Sequence, residues 1–420
     1  MSFGSLIVLI LIEFFFFTVV VLAKRLYLRP IVMYVAFLFL YPIVSSLIFY
    51  LNLNFLYDWV PYYPQEIYVK ALKISIASML PLCIIPVFMK KSTVKASFKP
   101  TVGFGIIKNI FFLIFGLYFV FVLINFNTLF LGWYGTIKAG AFFKLLTLLD
   151  YLLYSAFVYR MAYLPSQKFS KAEYGALGFY ALVKIGSGGR MFLLVFVLAY
   201  LVHFVKQRGD KVLSLSKFIP VSLFTIFGLG FIVSIRERTF DVAKSFYSLS
   251  LEFLNCYISA LKTASLSEDF IGTNYTFFLD PILSFIPSGI FDRENFYFFR
   301  FLDSIGGYYA YSPIGGQYLP HQIFLIHPSY IFVFIYFLLL AILLYNMDRM
   351  TFSSNRFVKY NYLYSLLIFL QSLFLVFSVR HYFFAHVKHF LIVIVFGVLI
   401  NIGLNLITRG MGRKPSNRIL

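Results

Sequence analysis

Apolar runs of roughly 15–24 residues, separated by short charged or Pro/Gly-rich breaks, follow one another along nearly the whole chain. No soluble fold can bury that many. They lie near residues 2–23, 30–51, 70–89, 104–125, 141–162, 172–186, 191–205, 218–235, 329–346, 361–379 and 390–407, which makes eleven predicted helices. In hydrocarbon the backbone must satisfy its own hydrogen bonds, so runs of this length read as spanning helices and the chain as an all-α polytopic membrane protein. Composition agrees: 61% of residues are hydrophobic and mean hydropathy is +0.87, against about 45–50% apolar residues in soluble domains.

The one long interruption runs from Arg236 to Pro328. It holds nine of the 16 acids against six bases, a balance of −3 in a protein of +20. Positive charge is retained mainly on the cytoplasmic face, so this loop is expected outside the membrane. The loops then sort by charge. Lys24, Arg25 and Arg29; Lys90 to Lys99; Lys168 and Lys171; Lys206 to Lys217; Arg349 to Lys359; and Arg409 to Arg418 fall on one side, 20 of the 36 bases. Eleven spans then put Met1 outside and Leu420 in the cytoplasm. Three regions follow: 1–235, a bundle of about eight helices; 236–328, the extracytoplasmic loop; and 329–420, about three helices.

These basic clusters define topology rather than a groove for phosphates, which argues against a nucleic-acid partner. Cys83 in a span and Cys256 in the loop are expected in different compartments, so neither a disulfide nor a thiolate metal site is predicted. The first run has no basic flank or small-residue cleavage site and reads as a retained helix. Glu13 within it should face other helices. Asp150 and Arg160, near the two ends of the fifth run, are expected to snorkel to the interfaces. The 56 Phe and 32 Tyr are spread through every span, as lipid-facing filler and interfacial belts, and Trp59, Tyr62 and Tyr63 belong to such a belt.

The pattern breaks at the sixth and seventh runs, which are short and separated only by Gly186-Ser187-Gly188-Gly189-Arg190. Glycine-interrupted helices often line a polar cavity. The amides of this turn and the start of the next helix form a ready anion site, to which Arg190 adds a planar cation. Arg236 ends the eighth run and Arg380 the tenth, at the same expected depth. Arginine on the outer face opposes the charge bias, and bidentate phosphate binding would account for it. Arg300 lies in the loop itself.

Within the loop, Val242, Phe246, Leu249, Phe253, Tyr257 and Ala260 recur at helical spacing opposite Lys244, Ser248, Glu252, Asn255, Ser259 and Lys262. An amphipathic helix is predicted there, peripheral to the spans and with a solvated polar stripe. From Phe285 to His321 the chain is rich in turn residues and aromatics and is expected to be irregular. His327, His321 and His381 stand near the outer ends of spans and are the candidates for acid–base chemistry. HExxH, GxSxG and P-loop patterns are absent, so metalloprotease, serine hydrolase and ATPase chemistries find no support.

The number of spans, one large loop before the last helices, Gly186-Ser187-Gly188-Gly189-Arg190 opening a central span, and Ser312-Pro313-Ile314-Gly315-Gly316-Gln317 shortly before another together resemble the Wzy-type O-antigen and capsule polymerases. The resemblance implies a GT-C-like membrane glycosyltransferase that joins oligosaccharide repeat units carried on undecaprenyl pyrophosphate, at the outer face of the bacterial inner membrane. It implies Arg190, Arg236, Arg300 and Arg380 as functional arginines, with Gly188 and Gly189 beside them in the pyrophosphate site, and a Wzz-type chain-length regulator as partner. The related O-antigen ligases carry His, then Asn, Ser or Gln, then nine residues and Gly. Here His321-Gln322 begins that pattern, but position 332 is Phe.

In that chemistry an acceptor hydroxyl attacks the anomeric carbon of the growing chain, and undecaprenyl pyrophosphate leaves. Fixed cations stabilise the charge that develops on the leaving group, so neither a metal nor another cofactor is required. A histidine or carboxylate would take the hydroxyl proton. A lipid-linked oligosaccharide flippase shares the hydrophobicity, but internal repeats would be expected of it, and the sequence shows none.

Overall fold

A computed structural model describes residues 2–51, 63–90, 104–125, 141–164, 168–186, 190–208, 242–266, 275–283, 318–353 and 361–376, with isolated positions at 297, 300–301 and between 394 and 406. In chain order the helices are α1 (Phe3–Lys24), α2 (Pro30–Tyr50), α3 (Gln65–Cys83), α4 (Ile85–Phe88), α5 (Phe104–Ile124), α6 (Ala141–Tyr163), α7 (Lys171–Gly186), α8 (Arg190–Arg208), α9 (Val242–Ser265), α10 (Asp280–Leu283), α11 (Leu319–Ile326), α12 (Tyr330–Asp348) and α13 (Asn361–Phe369). No strand occurs among the described residues. Six segments are long and apolar enough to cross a bilayer: Phe3–Lys24, Pro30–Tyr50, Gln65–Phe88, Gly105–Ile124, Leu145–Tyr163 and Tyr330–Phe352. The protein is therefore an all-helical membrane protein. The run predicted at 218–235 lies outside the described residues.

Helix ends follow local chemistry. Ser2 caps α1 by accepting from the Ser5 amide at 3.2 Å, and α1 stops where Arg25 turns left-handed, with φ 56°. Pro30 opens α2 with its φ already set for a helix. The third apolar run breaks at Ile84 into α3 and α4, with Pro81 in the last turn before the break and Pro86 in the first turn after it.

The chain forms two compact units. One comprises Met1–Lys90, Tyr247–Asp348 and Phe374–Lys388. In it the Phe3 ring at the start of α1 lies 5.8 Å from Tyr68 at the start of α3 and 6.1 Å from Tyr50 at the end of α2. At the opposite end Lys24 donates to the carbonyls of Val87 and Met89, and Arg29 meets both Asp348 and the Lys90 carbonyl. Helices α1, α3 and α12 thus run parallel, with α2 antiparallel to them. Lys24, Arg29 and Lys90 gather at one end of this unit, the grouping expected from charge.

Two expectations fail here. Helix α9 forms over Val242–Ser265, but its second half is not peripheral. Leu254, Cys256, Tyr257, Ile258, Ser259, Ala260, Leu261, Thr263 and Ala264 are all buried. Its hydroxyls need no water, because Ser259 and Thr263 donate to the Cys256 and Ser259 carbonyls one turn back. The segment expected to be irregular as far as His321 is helical from Leu319, since Pro320 falls in the first turn of α11, where a proline costs no hydrogen bond.

The second unit comprises Lys91–Phe246, Arg349–Leu373 and His389–Leu420. Its frame is the α6–α7 hairpin, which corrects the expectation that Asp150 and Arg160 snorkel. Both are buried and both pair with the next helix. Arg160 Nε donates to Glu173 Oε1 at 2.6 Å, its other nitrogens reach the Leu164 and Lys168 carbonyls at 3.1 Å, and its plane covers the Phe169 ring at 4.4 Å. Glu173 also accepts from the Ser170 amide while Ser170 Oγ accepts from the Glu173 amide, a capping box that opens α7. Ten residues before Arg160, Asp150 Oδ2 accepts from Lys184 Nζ at 2.5 Å. A charge with a partner on the adjacent helix has no need to climb to the interface. Helix α5 packs on the hairpin through Phe119 and Phe179, 5.0 Å apart, and α8 through Tyr180 and Phe196, 4.6 Å apart.

Candidate functional site

Helix α7 ends at Gly186 and α8 begins at Arg190, so only three residues join them and Arg190 occupies the first position of α8. Gly188 and Gly189 lie outside the described residues, as do Arg236, Arg380 and His381. Of the arginines singled out from sequence, Arg190 is thus placed by its backbone at a helix N-terminus, where uncompensated amides favour an anion. Arg300 is helical and exposed, in the other unit.

Lys184 stands two residues before Gly186. Its ammonium is held against Asp150 and faces the rings of Phe192 at 5.5 Å, Tyr180 at 5.6 Å and Tyr118 at 5.9 Å. Lys184 and Asp150 are 3% and 2% exposed. Among the described residues the hydrogen bonding around them is incomplete: Asp150 Oδ1, Tyr118 Oη and Tyr180 Oη have no partner in bonding geometry, although the Tyr180 phenol faces Asp150. Sequence reasoning passed over Lys184, Tyr118 and Tyr180. The available signal was a lone lysine in one short span and a lone aspartate in the span before it, joined by a tight connection.

In the other unit His321 is fully buried on α11, with ring centroids 5.4 Å from Tyr318 and 6.1 Å from Tyr257. Burial pushes its pKa down to about 3, opposed by the Ala71 carbonyl, so the ring is neutral. The Ala71 carbonyl faces the ring, but among the described residues neither ring nitrogen meets a partner in bonding geometry, and nor does the Tyr257 hydroxyl. Tyr318 Oη, by contrast, donates to the Leu38 carbonyl at 3.0 Å. His321 is therefore sealed in a hydroxyl-rich interior rather than set at an interface. His327 caps the end of α11, half-buried, stacked on Phe332 at 5.2 Å and near Tyr275 at 5.9 Å. Among the described residues its Nδ1 has no hydrogen-bond partner.

The same unit carries an open cleft of about 650 Å³ between the starts of α1, α3 and α12, where Ser2, Gln65, Glu66, Lys70, Lys73 and Tyr330 line it. Lys70 also donates to the Leu266 carbonyl. Among the described residues no three His, Cys, Asp or Glu side chains come together as a metal site. Cys83 and Cys256 are both free and buried.

No family model, curated protein or solved structure matches this chain.

Proposed function

We propose that this protein is a membrane glycosyltransferase that polymerises undecaprenyl-pyrophosphate-linked repeat units into O-antigen or capsular polysaccharide at the outer face of the bacterial inner membrane. The observation that carries the reading is the three-residue connection between α7 and α8. It sets the Arg190 backbone at a helix start, where free amides and an arginine suit the diphosphate of a lipid whose tail stays in hydrocarbon. In this reading the fold is GT-C-like with eleven spans, Met1 is outside and Leu420 is cytoplasmic. Arg190, Arg236 and Arg380 hold the leaving group, Arg300 assists from the loop, and His327 is the residue best exposed to take the acceptor proton. A Wzz-type partner sets chain length.

A second reading draws on the same helices. A charged pair at membrane depth is common in transport pathways, and the buried Asp150–Lys184 pair favours a lipid-linked oligosaccharide transporter to that extent. Deleting the gene and resolving the surface glycan on a gel separates the two: polymerase loss leaves a single repeat unit, whereas transporter or ligase loss leaves bare lipid core. Within the polymerase reading, Arg190→Ala should lower polymer synthesis about ten- to a hundredfold at unchanged protein level, since a charge-assisted donor pair contributes roughly 1.5–3 kcal/mol. Arg190→Lys keeps the charge but not the planar fork and should still lose much of the activity.

A further inference from the structure

The cleft of about 650 Å³ lies at the starts of α1, α3 and α12, and each of these helices belongs to a segment long and apolar enough to cross a bilayer. The three run parallel, so their starts leave hydrocarbon together and the cleft opens at the level of lipid headgroups. Among the described residues its charged lining is all on α3, where Glu66, Lys70 and Lys73 fall at i, i+4 and i+7 and share one face. Two ammoniums against one carboxylate leave a formal balance of +1, to which the helix starts add partial positive charge. Lys70 is half-buried; it donates to the Leu266 carbonyl at 3.2 Å and lies 5.7 Å from the Phe324 ring, which leaves two of its three N–H groups for a ligand. Lys73 is exposed, and among the described residues neither it nor Glu66 has an ion-pair or hydrogen-bond partner. Both lysines stand at the opposite end of the unit from Lys24, Arg29 and Lys90, where charge bias does not call for them.

We infer that this cleft binds the head of an anionic phospholipid, with Lys70 and Lys73 on the phosphodiester oxygens and Glu66 accepting from hydroxyls of the headgroup. The single phosphodiester charge matches the balance of the lining, and the volume has room for a headgroup beyond its phosphate. Phe3, Pro64 and Val69 make the rest of the wall apolar, and one or two turns further in α1 and α12 expose Val8 and Ile335, where acyl chains lie against the spans. Glu66 opposes the phosphate, so removing its charge should strengthen the binding of an anionic lipid. The site is confined to the unit that does not contain the α7–α8 turn, and it stands or falls independently of the glycosyltransferase reading.

The test uses delipidated full-length protein in detergent, to which phosphatidylglycerol, phosphatidylcholine or inorganic phosphate is added, read as lipid retained in native mass spectrometry and as the rise in melting temperature on titration. Phosphatidylglycerol should be retained and stabilise the protein, and phosphatidylcholine, which has no net charge, should bind more weakly. Lys73→Gln should weaken phosphatidylglycerol binding about fivefold and Lys70→Gln with Lys73→Gln by more, while Lys73→Arg should keep it and Glu66→Gln should tighten it. Stabilisation by the lipid and not by inorganic phosphate supports the assignment; equal stabilisation by both overturns the lipid as the source of the phosphate. If the unmodified protein, Lys73→Gln and the double variant bind phosphatidylglycerol alike, or none binds it, the cleft is not a lipid site. Should the double variant not fold, Lys73→Gln decides alone, because Lys73 is exposed and its loss breaks no hydrogen bond or ion pair among the described residues.

Discussion

Arg29 and Asp348 are 319 residues apart in sequence, and Arg29 Nη1 donates to Asp348 Oδ1 at 2.7 Å with both side chains almost completely shielded from solvent. The start of α2 is thereby fixed to the end of α12, while the second arginine branch holds the Lys90 carbonyl beyond α4. Breaking a buried pair from one side leaves an uncompensated charge, at roughly 3–5 kcal/mol, whereas replacing both partners by apolar residues is often nearly neutral. Asp348→Ala should therefore sharply lower the yield and melting temperature of detergent-solubilised protein, and Arg29→Met with Asp348→Leu should recover most of the loss. A double variant as unstable as the single one would show that the Lys90 contact, not the ion pair, is what matters.

Arg160 uses all of its fork, with Glu173, two carbonyls and an aromatic face. Lysine carries the charge but can satisfy only part of that set. Arg160→Lys is expected to destabilise the second unit by roughly 2–4 kcal/mol, measured as a fall in thermal unfolding temperature. Glu173→Gln keeps the capping geometry and should cost less than Glu173→Ala.

Two buried tyrosines give different expectations although their rings lie 6.3 Å apart. The Tyr318 hydroxyl is bonded to Leu38, and Tyr318→Phe should cost about 1 kcal/mol. The Tyr257 hydroxyl faces Ser46 and Ser75 without meeting either in bonding geometry, so Tyr257→Phe should cost less than Tyr318→Phe. Comparing their melting temperatures side by side checks both at once.

His321 gives the fold a dependence on acid. Its folded pKa of about 3 lies below the ordinary value of 6.5, so between these values the unfolded chain binds the additional proton. Its contribution to stability is full above about pH 6.5 and falls as pH drops towards 3, with a slope approaching about 1.4 kcal/mol per pH unit. His321→Leu should flatten the decline of melting temperature between pH 6.5 and 4. An unchanged slope would assign the acid sensitivity to other groups.

Helix positions were legible because apolar run length and breakers set them. The edges of α2 at Pro30 and of α7 and α8 around the glycine turn fall within a residue of where the sequence puts them. Partnerships were not legible. Asp150, Arg160, Lys184 and Glu173 look alike on a hydropathy plot whether they reach for the interface or for each other, and only the antiparallel pairing of α6 with α7 decides. Helix α9 misled for a related reason: serine and threonine count as polar in a periodicity, yet in a helix they satisfy themselves on the preceding turn. Of the candidate site, the turn and Arg190 could be read from sequence. The buried cluster of Tyr118, Asp150, Tyr180 and Lys184 could not, because it is built from three helices.

The two ion pairs of the α6–α7 hairpin also bear on how the chain is made. Leu145–Tyr163 is the least apolar of the six spanning segments, with a mean hydropathy of 1.2. Presented alone to the insertion machinery it would carry Asp150 and Arg160 into the membrane unpaired, each at a cost that grows with its depth. Both of its counter-charges arrive on the next helix, Glu173 after a connection of a few residues and Lys184 three turns later. On this arrangement α6 is a better span with α7 beside it than alone, and the two are expected to enter the bilayer together.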